Sequence, residues 1–284
     1  MLLHIPHRGG DLIFTIFIAA DIEGITDYVD WPENPPEEFW FREQMTAEVN
    51  AAIEGALDAG ADSIIVSDIH WRKQNIIPDK LLGCASLIRG SKRKLMWMDF
   101  VERSNFVFLI GFHSGFGPAD AVLPHTIDTR ITGLKINGQN VDEAYISAAT
   151  AGYFGVPVGL ATGDMAFVKE LKRLLPDVET VAVKEAVGNC AALNLHPKIS
   201  LEEIKKAAKV AVQKGISGGF KPYRPGNLLE MAIEVSWPSY ADALSLVPGV
   251  VRTSGTGVSY TGDWLNALGI LSLFVNWIGS KRLL

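Results

Sequence analysis

Long uninterrupted apolar runs are missing from this chain, and cysteine is scarce. Leu12–Ala20 is apolar but runs straight into Asp21 and Glu23. It falls well short of the roughly 20 apolar residues of a membrane-spanning helix and reads as a buried strand. Trp264–Gly279 is apolar but broken by Asn266 and Asn276, which suits a core or subunit-interface helix; no membrane partner is expected. Met1–Gly10 carries basic residues with no clean small-residue cleavage site after it, and reads as an extension rather than a signal peptide. The 2 cysteines, Cys84 and Cys190, lie far apart and form no CxxC pair. That argues against a disulfide framework or a zinc ribbon, and for a cytoplasmic setting. Positive charge is also short: 26 Lys and Arg against 32 Asp and Glu leave a net charge of -6, the wrong sign for a nucleic-acid partner. No GxxxxGK[ST], no GxGxxG after a strand and no HExxH occurs. A P-loop NTPase, a dinucleotide-binding fold and a thermolysin-type zinc helix are thereby excluded.

What the chain has instead is alternation. Short apolar runs at Leu12–Ala20, Ser63–Ser67, Asn105–Ile110, Val156–Ala161 and Thr180–Val183 alternate with longer helical patterns at Glu37–Gly60, Glu143–Phe154, Met165–Leu175 and Leu201–Lys214. This is the signature of an α/β fold with a largely parallel sheet flanked by helices. Within Glu37–Gly60 the residues Met45, Val49, Ile53, Ala56 and Leu57 recur at helical spacing, and Gly60 stands where a C-cap belongs. Lys214–Pro225 is rich in Gly, Pro and Lys and marks a boundary. It separates a metal-binding α/β core over 11–215 from a smaller C-terminal α/β extension over 226–284, either a subdomain or part of the same domain. That second part holds a strand at Leu228–Val235, a short helix at Ser239–Ser245 and a tight loop at Ser254–Gly257.

The chemistry collects at strand ends. In open parallel sheets ligands bind beyond the carboxyl ends of the strands. Here those ends read Asp21-Ile22-Glu23-Gly24, Asp68-Ile69-His70 and Gly111-Phe112-His113. Residues two apart in extended backbone point the same way, so Asp21 with Glu23, and Asp68 with His70, can each present a polar pair to one cleft. Asp68 taken alone reads as a loop cap or a supporting residue. Of the 6 histidines, His70, His113 and His125 follow apolar strands or lie in the adjoining loop. A single such histidine is more often structural; three beside acidic strand ends point to metal. Imidazole with carboxylate suits Zn²⁺, with Mn²⁺ or Co²⁺ as substitutes. A paired site, whose ions sit about 3.5–4 Å apart, needs a bridging carboxylate, and Asp21 is the natural one.

Taken in order, Asp21–Gly24, Ser67-Asp68-Ile69-His70, Gly111-Phe112-His113, Pro124-His125-Thr126 and the acidic helix start at Glu143 resemble the zinc-dependent D-aminopeptidases linked to bacterial dipeptide transport. Ala161-Thr162-Gly163-Asp164, Val181-Ala182-Val183-Lys184 and the Pro248-Gly249 segment before Thr253–Gly257 extend the resemblance, which spans Phe14 to Ile278. It implies that Asp21 bridges two Zn²⁺ ions, that Glu23 and His70 bind one and His113 and Glu143 the other, and that His125 is catalytic. It implies ring-shaped homo-oligomers, two stacked pentamers, that admit short peptides. The expected activity is release of N-terminal residues, D-amino acids among them, from short peptides or amino-acid amides. The alternatives are another dinuclear amidase or phosphoesterase, and a non-catalytic metal-binding ring scaffold. The sequence departs from the family's pattern at Ala19, where the family has Ser, and in the unusual Trp31-Pro32-Glu33-Asn34-Pro35-Pro36 segment. Both lie close to the expected site and bear on substrate preference.

Overall fold

A computed structural model describes residues 14–31 and 35–278. The extension Met1–Gly10, the first residues of the strand expected from Leu12, Pro32–Asn34 and the chain from Gly279 onward lie outside the described residues.

The chain opens with β1 (Thr15–Ala20) and crosses through α1 (Pro35–Asp58) to β2 (Ser63–Asp68), β3 (Ala85–Ile88) and β4 (Phe106–Phe112). It continues through β5 (Ile131–Ile136) and β6 (Gln139–Asn140) into α2 (Glu143–Tyr153), then β7 (Val158–Asp164), α3 (Met165–Leu174), β8 (Glu179–Gly188) and β9 (Ala191–Asn194). The last third holds α4 (Pro197–Ile216), β10 (Leu229–Val235), α5 (Pro238–Leu244), β11 (Val250–Arg252), β12 (Gly257–Gly262) and α6 (Trp264–Leu273). A wider helical turn, Phe274–Ile278, continues α6. No described helix is long and apolar enough to cross a membrane.

β1 is TIFIAA, and every residue of it is buried, as a strand covered on both faces must be. Successive side chains serve different layers. Ile16, Ile18 and Ala20 join Phe108 and Ile110 of β4 against Met45, Val49 and Ile53 of α1 and Val212 of α4. Phe17 and Ala19 join Val107 and Leu109 in the core on the other face, with Ala144, Ala148 and Ala149 of α2. The seven-stranded sheet has the order β3-β2-β1-β4-β7-β8-β9, parallel except where β9 returns along β8. β1 lies between β2 and β4, so the chain leaves it in one direction and later comes back on the other side. The crevice at that switch point, above the carboxyl ends of three adjacent strands, is where such folds bind ligands.

A second sheet, antiparallel in all its pairings, has the order β11-β12-β10-β5-β6. Burial alternates along β10, the mark of a sheet wetted on one face. Its inner residues Leu134, Met231, Ile233 and Val258 share the core of α2 and α6. The Gly- and Pro-rich segment after α4 packs on α2: Arg224 donates to the Gly152 carbonyl at 3.0 Å, and a Cβ on Gly152 would stand 1.7 Å from the Tyr223 oxygen.

The helices and apolar strands expected from sequence are present with ends shifted by a few residues. Gly60, at φ 98°, closes α1 in the left-handed turn expected of it, although Leu57 of the expected apolar stripe is exposed. Trp264–Leu273 is largely a core helix, with Ala267, Leu268 and Leu271 buried. Ser254–Gly257 is the tight turn between β11 and β12. β3, β5, β6, β9, β11 and β12 were not foreseen, because they are only two to four residues long or carry Gly and polar residues within the run.

Candidate metal centre

Each strand end of the crevice is shaped by a local backbone demand. The Asp21 N–H continues the ladder to the Ile110 carbonyl at 2.8 Å, and the Gly24 N–H then bonds the Gly111 carbonyl at 2.8 Å. A Cβ on Gly24 would lie 1.8 Å from the Phe112 oxygen, so only glycine lets the chain turn here and bring Glu23 back beside Asp21. Lys184 of β8 holds this turn from beneath. Its ammonium donates to the carbonyls of Glu23 (2.6 Å), Ile25 (2.8 Å) and Tyr28. Burial pushes the Lys184 ammonium down to about 8, although Asp164 and Glu48 lie near enough to favour its charge.

At the end of β2, Asp68 supports the loop, as its position suggested. Its carboxylate accepts the N–H groups of Asn75 and Ile76 and the Asn75 side-chain amide. His70 is thereby presented to the crevice. At the end of β4, His113 Nδ1 faces the Ser114 carbonyl at 3.0 Å. A carbonyl only accepts, so Nδ1 carries a proton and Nε2 is the atom turned towards Asp21 and Glu143. His125, in the loop after β4, is fixed the same way by the Leu123 carbonyl at 2.9 Å. Its ring stacks on His113 with centroids 4.3 Å apart and planes 4° from parallel. Glu143 opens α2 directly after the N-cap Asp142, and its Oε1 accepts the Ile127 N–H at 2.8 Å.

All six residues singled out from sequence meet in one place. His70 Nδ1 lies 2.9 Å from Glu23 Oε2 and 3.5 Å from Asp21 Oδ1. His113 Nε2 lies 3.5 Å from Asp21 Oδ2 and 3.4 Å from Glu143 Oε1. His125 Nε2 is 3.9 Å from Glu23 Oε1. Asp21 therefore stands between two imidazoles with one carboxylate oxygen toward each. Ligand atoms of Asp21, Glu23 and His113 all fall within 4.8 Å of one another, as do those of His113, His125 and Glu143.

The electrostatics of this cluster call for a cation. Asp21, Glu23 and Glu143 are all buried, and buried carboxylates at such spacing repel unless compensated. Burial, then the Glu23 and Glu143 charges, push Asp21 up to about 7. Burial works against the His113 imidazolium, but the close approach of the Glu143 carboxylate and its charge raise it to about 10. Burial also opposes the charged forms of His70 and Glu23, and their mutual attraction outweighs it. His70 is held well above its usual value and Glu23 well below. Glu143 is lowered despite burial by the close approach of His113. Burial, then repulsion from His113, keep His125 lowered and neutral. Protons on His70 and His113 thus serve as the counter-charge that a dication would supply. Two atoms make the fit more specific: the buried Asp21 Oδ2 and His113 Nε2 have no hydrogen-bond partner, an arrangement native proteins otherwise avoid. Carboxylate and imidazole atoms that converge in this way are a donor set suited to Zn²⁺, which would displace those protons.

The cluster opens into a cleft of about 840 Å³ whose walls include Trp31, Lys73, Met96, Trp97 and Arg130. Trp31, the first residue of the unusual segment, donates its indole N–H to Glu23 Oε1 at 3.1 Å and sets its ring edge-on to His125, so this residue reaches the site. Sequence reasoning missed the clamp formed by Lys184, although Val181–Lys184 carried part of the resemblance; a lysine ending a buried apolar strand was the available signal. Gly215-Ile216-Ser217-Gly218-Gly219 matches the letters of a nucleophile elbow, but it closes α4, with Ser217 Oγ bonded back to the Gln213 carbonyl. It is the reverse of a strand-to-helix turn.

A sequence model of a peptidase family described as D-aminopeptidase matches residues 14–273. A D-aminopeptidase of Bacillus subtilis strain 168 is 27% identical over 260 residues, spanning 89% of this chain and 93% of that protein. The solved structure of the Zn-dependent D-aminopeptidase DppA from Bacillus subtilis, described as a self-compartmentalizing protease, aligns with a TM-score of 0.87 at 25% identity. It covers 95% of this chain and 100% of that one.

Proposed function

This chain belongs to the D-aminopeptidase family and is a peptide-bond hydrolase, and from that premise we propose a dinuclear zinc aminopeptidase that releases N-terminal residues, D-amino acids among them, from short peptides or amino-acid amides. The observation that carries the reading is Asp21 between His70 and His113, one carboxylate oxygen toward each imidazole. Asp21 would serve both ions, with Glu23 and His70 holding one and His113 and Glu143 the other. When bound, zinc supplies Lewis-acid chemistry, polarising a carbonyl and making water nucleophilic near neutral pH.

The remaining work falls to the chain. Lys184 and Gly24 hold the Asp21–Glu23 turn rigid, so the carboxylates need little reorganisation during turnover. The stack on His113 and the Leu123 carbonyl fix the His125 ring. Its neutral Nε2 is left to accept a proton at the cleft and to return it to the leaving amine. We extend the reading to a homo-oligomeric ring, two stacked pentamers. The relative described as self-compartmentalizing supports it, as do the exposed apolar side chains Leu228, Trp237, Leu246 and Val251. Exposed free thiols at Cys84 and Cys190 suit the cytoplasm.

The test is zinc content and hydrolysis on one batch of protein, with D- and L-aminoacyl amides, dipeptides and aryl phosphates, beside Asp21→Ala. About two zinc ions per chain with peptide hydrolysis lost in the variant is expected. Metal with hydrolysis of phosphates alone, or no metal uptake, would overturn the reading. His125→Ala should keep its zinc and lose turnover; loss of zinc would make His125 a ligand.

A further inference from the structure

Two lysines are buried among the described residues, Lys184 and Lys73, and they are partnered very differently. Lys184 is saturated by three carbonyls. Lys73 is only 9% exposed, yet its ammonium makes one long hydrogen bond, 3.3 Å to the Trp71 carbonyl. Among the described residues it has no carboxylate within 4.0 Å. An ammonium carries three donors, and a buried one without an anion is costly.

Lys73 is also fixed in place. Its N–H donates to the His70 carbonyl at 2.7 Å, and its carbonyl accepts the Gly90 N–H at 2.8 Å. Its backbone is left-handed, at φ 58°, and so are those of Trp71, Lys92, Met96 and Ile127, all of which line the same cleft. Strain of this kind persists where the surroundings over-determine it and clusters at ligand clamps. Other cations nearby are already engaged. Asp128 neutralises Arg130, and Arg93 donates to Ser67 Oγ and to the carbonyls of Asp68, Ile88 and Gly90. Arg72 lies exposed over the Trp71 ring. Lys73 shares the cleft with Asp21, Glu23 and Glu143, whose carboxylates the proposed zinc ions would occupy.

We propose that Lys73 binds the free C-terminal carboxylate of a short peptide whose N-terminal residue sits at the metal centre, so that the enzyme prefers peptide acids to the matching amides. The proposal rests on the peptidase reading above and deepens it.

The test compares D-alanyl-D-alanine with its C-terminal amide in the zinc-loaded wild type, Lys73→Met and Lys73→Arg. Wild type should favour the acid. Lys73→Met should lower kcat/KM for the acid by about 100-fold, mainly through KM, and leave the amide within about twofold. Lys73→Arg should restore part of the preference. Unchanged amide hydrolysis is the internal control for folding. No acid preference in wild type, or equal loss on both substrates in Lys73→Met, would overturn the proposal; the second result marks a purely structural lysine. Should wild type turn over neither peptide, that result counts against the proposed D-peptide substrates, and calorimetric binding of the same two peptides decides this one. Acid preference in wild type that disappears in Lys73→Met supports it, and its absence rejects it.

Discussion

The loops after β1 and β2 both deliver residues of the candidate metal centre, and each is frozen by one buried charge of opposite sign. In the first, Lys184 reaches across from β8 and gathers three carbonyls. In the second, Asp68 stays within its own loop and gathers amides of Asn75 and Ile76. The sign follows from which backbone groups the turn leaves inward, since buried N–H and C=O groups must be paired. The difference has a further consequence. The first loop absorbs its lysine completely, whereas the second, satisfied by Asp68, leaves Lys73 facing the cleft with its donors largely unused.

The strongest way to break the comparison is Lys184→Met. It leaves three buried carbonyls unpaired, so stability should fall by at least about 3 kcal/mol, with loss of zinc content; thermal unfolding and metal analysis would show both. Wild-type zinc content in that variant would deny Lys184 its role in holding Glu23. Asp68→Asn should cost less, about 1–3 kcal/mol, because an amide oxygen still accepts one N–H; chemical denaturation would measure it, and a loss equal to that of Lys184→Met would erase the distinction between the loops.

A pH series on metal-free and zinc-loaded protein sharpens the contrast on the metal side. Without metal, Asp21 is raised to about 7 and His113 to about 10. Both raised values favour the folded state at low pH. The Asp21 contribution fades as pH rises towards 7, and that of His113 as pH rises from about 6.5 towards 10. Zinc displaces these protons, so its binding should strengthen with pH by about 1.4 kcal/mol per unit for each proton released. Thermal midpoints measured between pH 6 and 9 should show the gap between zinc-loaded and metal-free protein widening; a constant gap would mean that no proton leaves. The smallest effect is expected of Trp31→Phe, which removes the indole N–H to Glu23 Oε1 and keeps an aromatic ring beside His125. About 1 kcal/mol in transition-state stabilisation, read from kcat/KM, is the expected loss.

Much of this molecule could be read without coordinates, for identifiable reasons. β1 and β4 were legible because a strand covered on both faces must be apolar throughout. The start of α2 was legible because Asp142 caps it, accepting the Tyr145 N–H at 2.7 Å. The convergence of Asp21, His70 and His113 was foreseen because ligand-bearing strand ends of a parallel sheet share one edge. β5 was not foreseen: ITGLKI carries a glycine and polar residues, and its pairing with β10, far along the chain, leaves no local trace. Lys73 escaped notice for the opposite reason, since a lysine in a polar loop reads as solvated until the cleft closes around it.

By itself, then, the sequence determined which segments are buried, where the strands end in carboxylates and imidazoles, and which peptidase family the chain belongs to, because composition and spacing act locally. Only the tertiary structure decided that one Asp21 oxygen faces each imidazole, that Lys184 is saturated and that Lys73 is not. Those facts depend on which distant groups share a desolvated space, and no pattern along the chain records that.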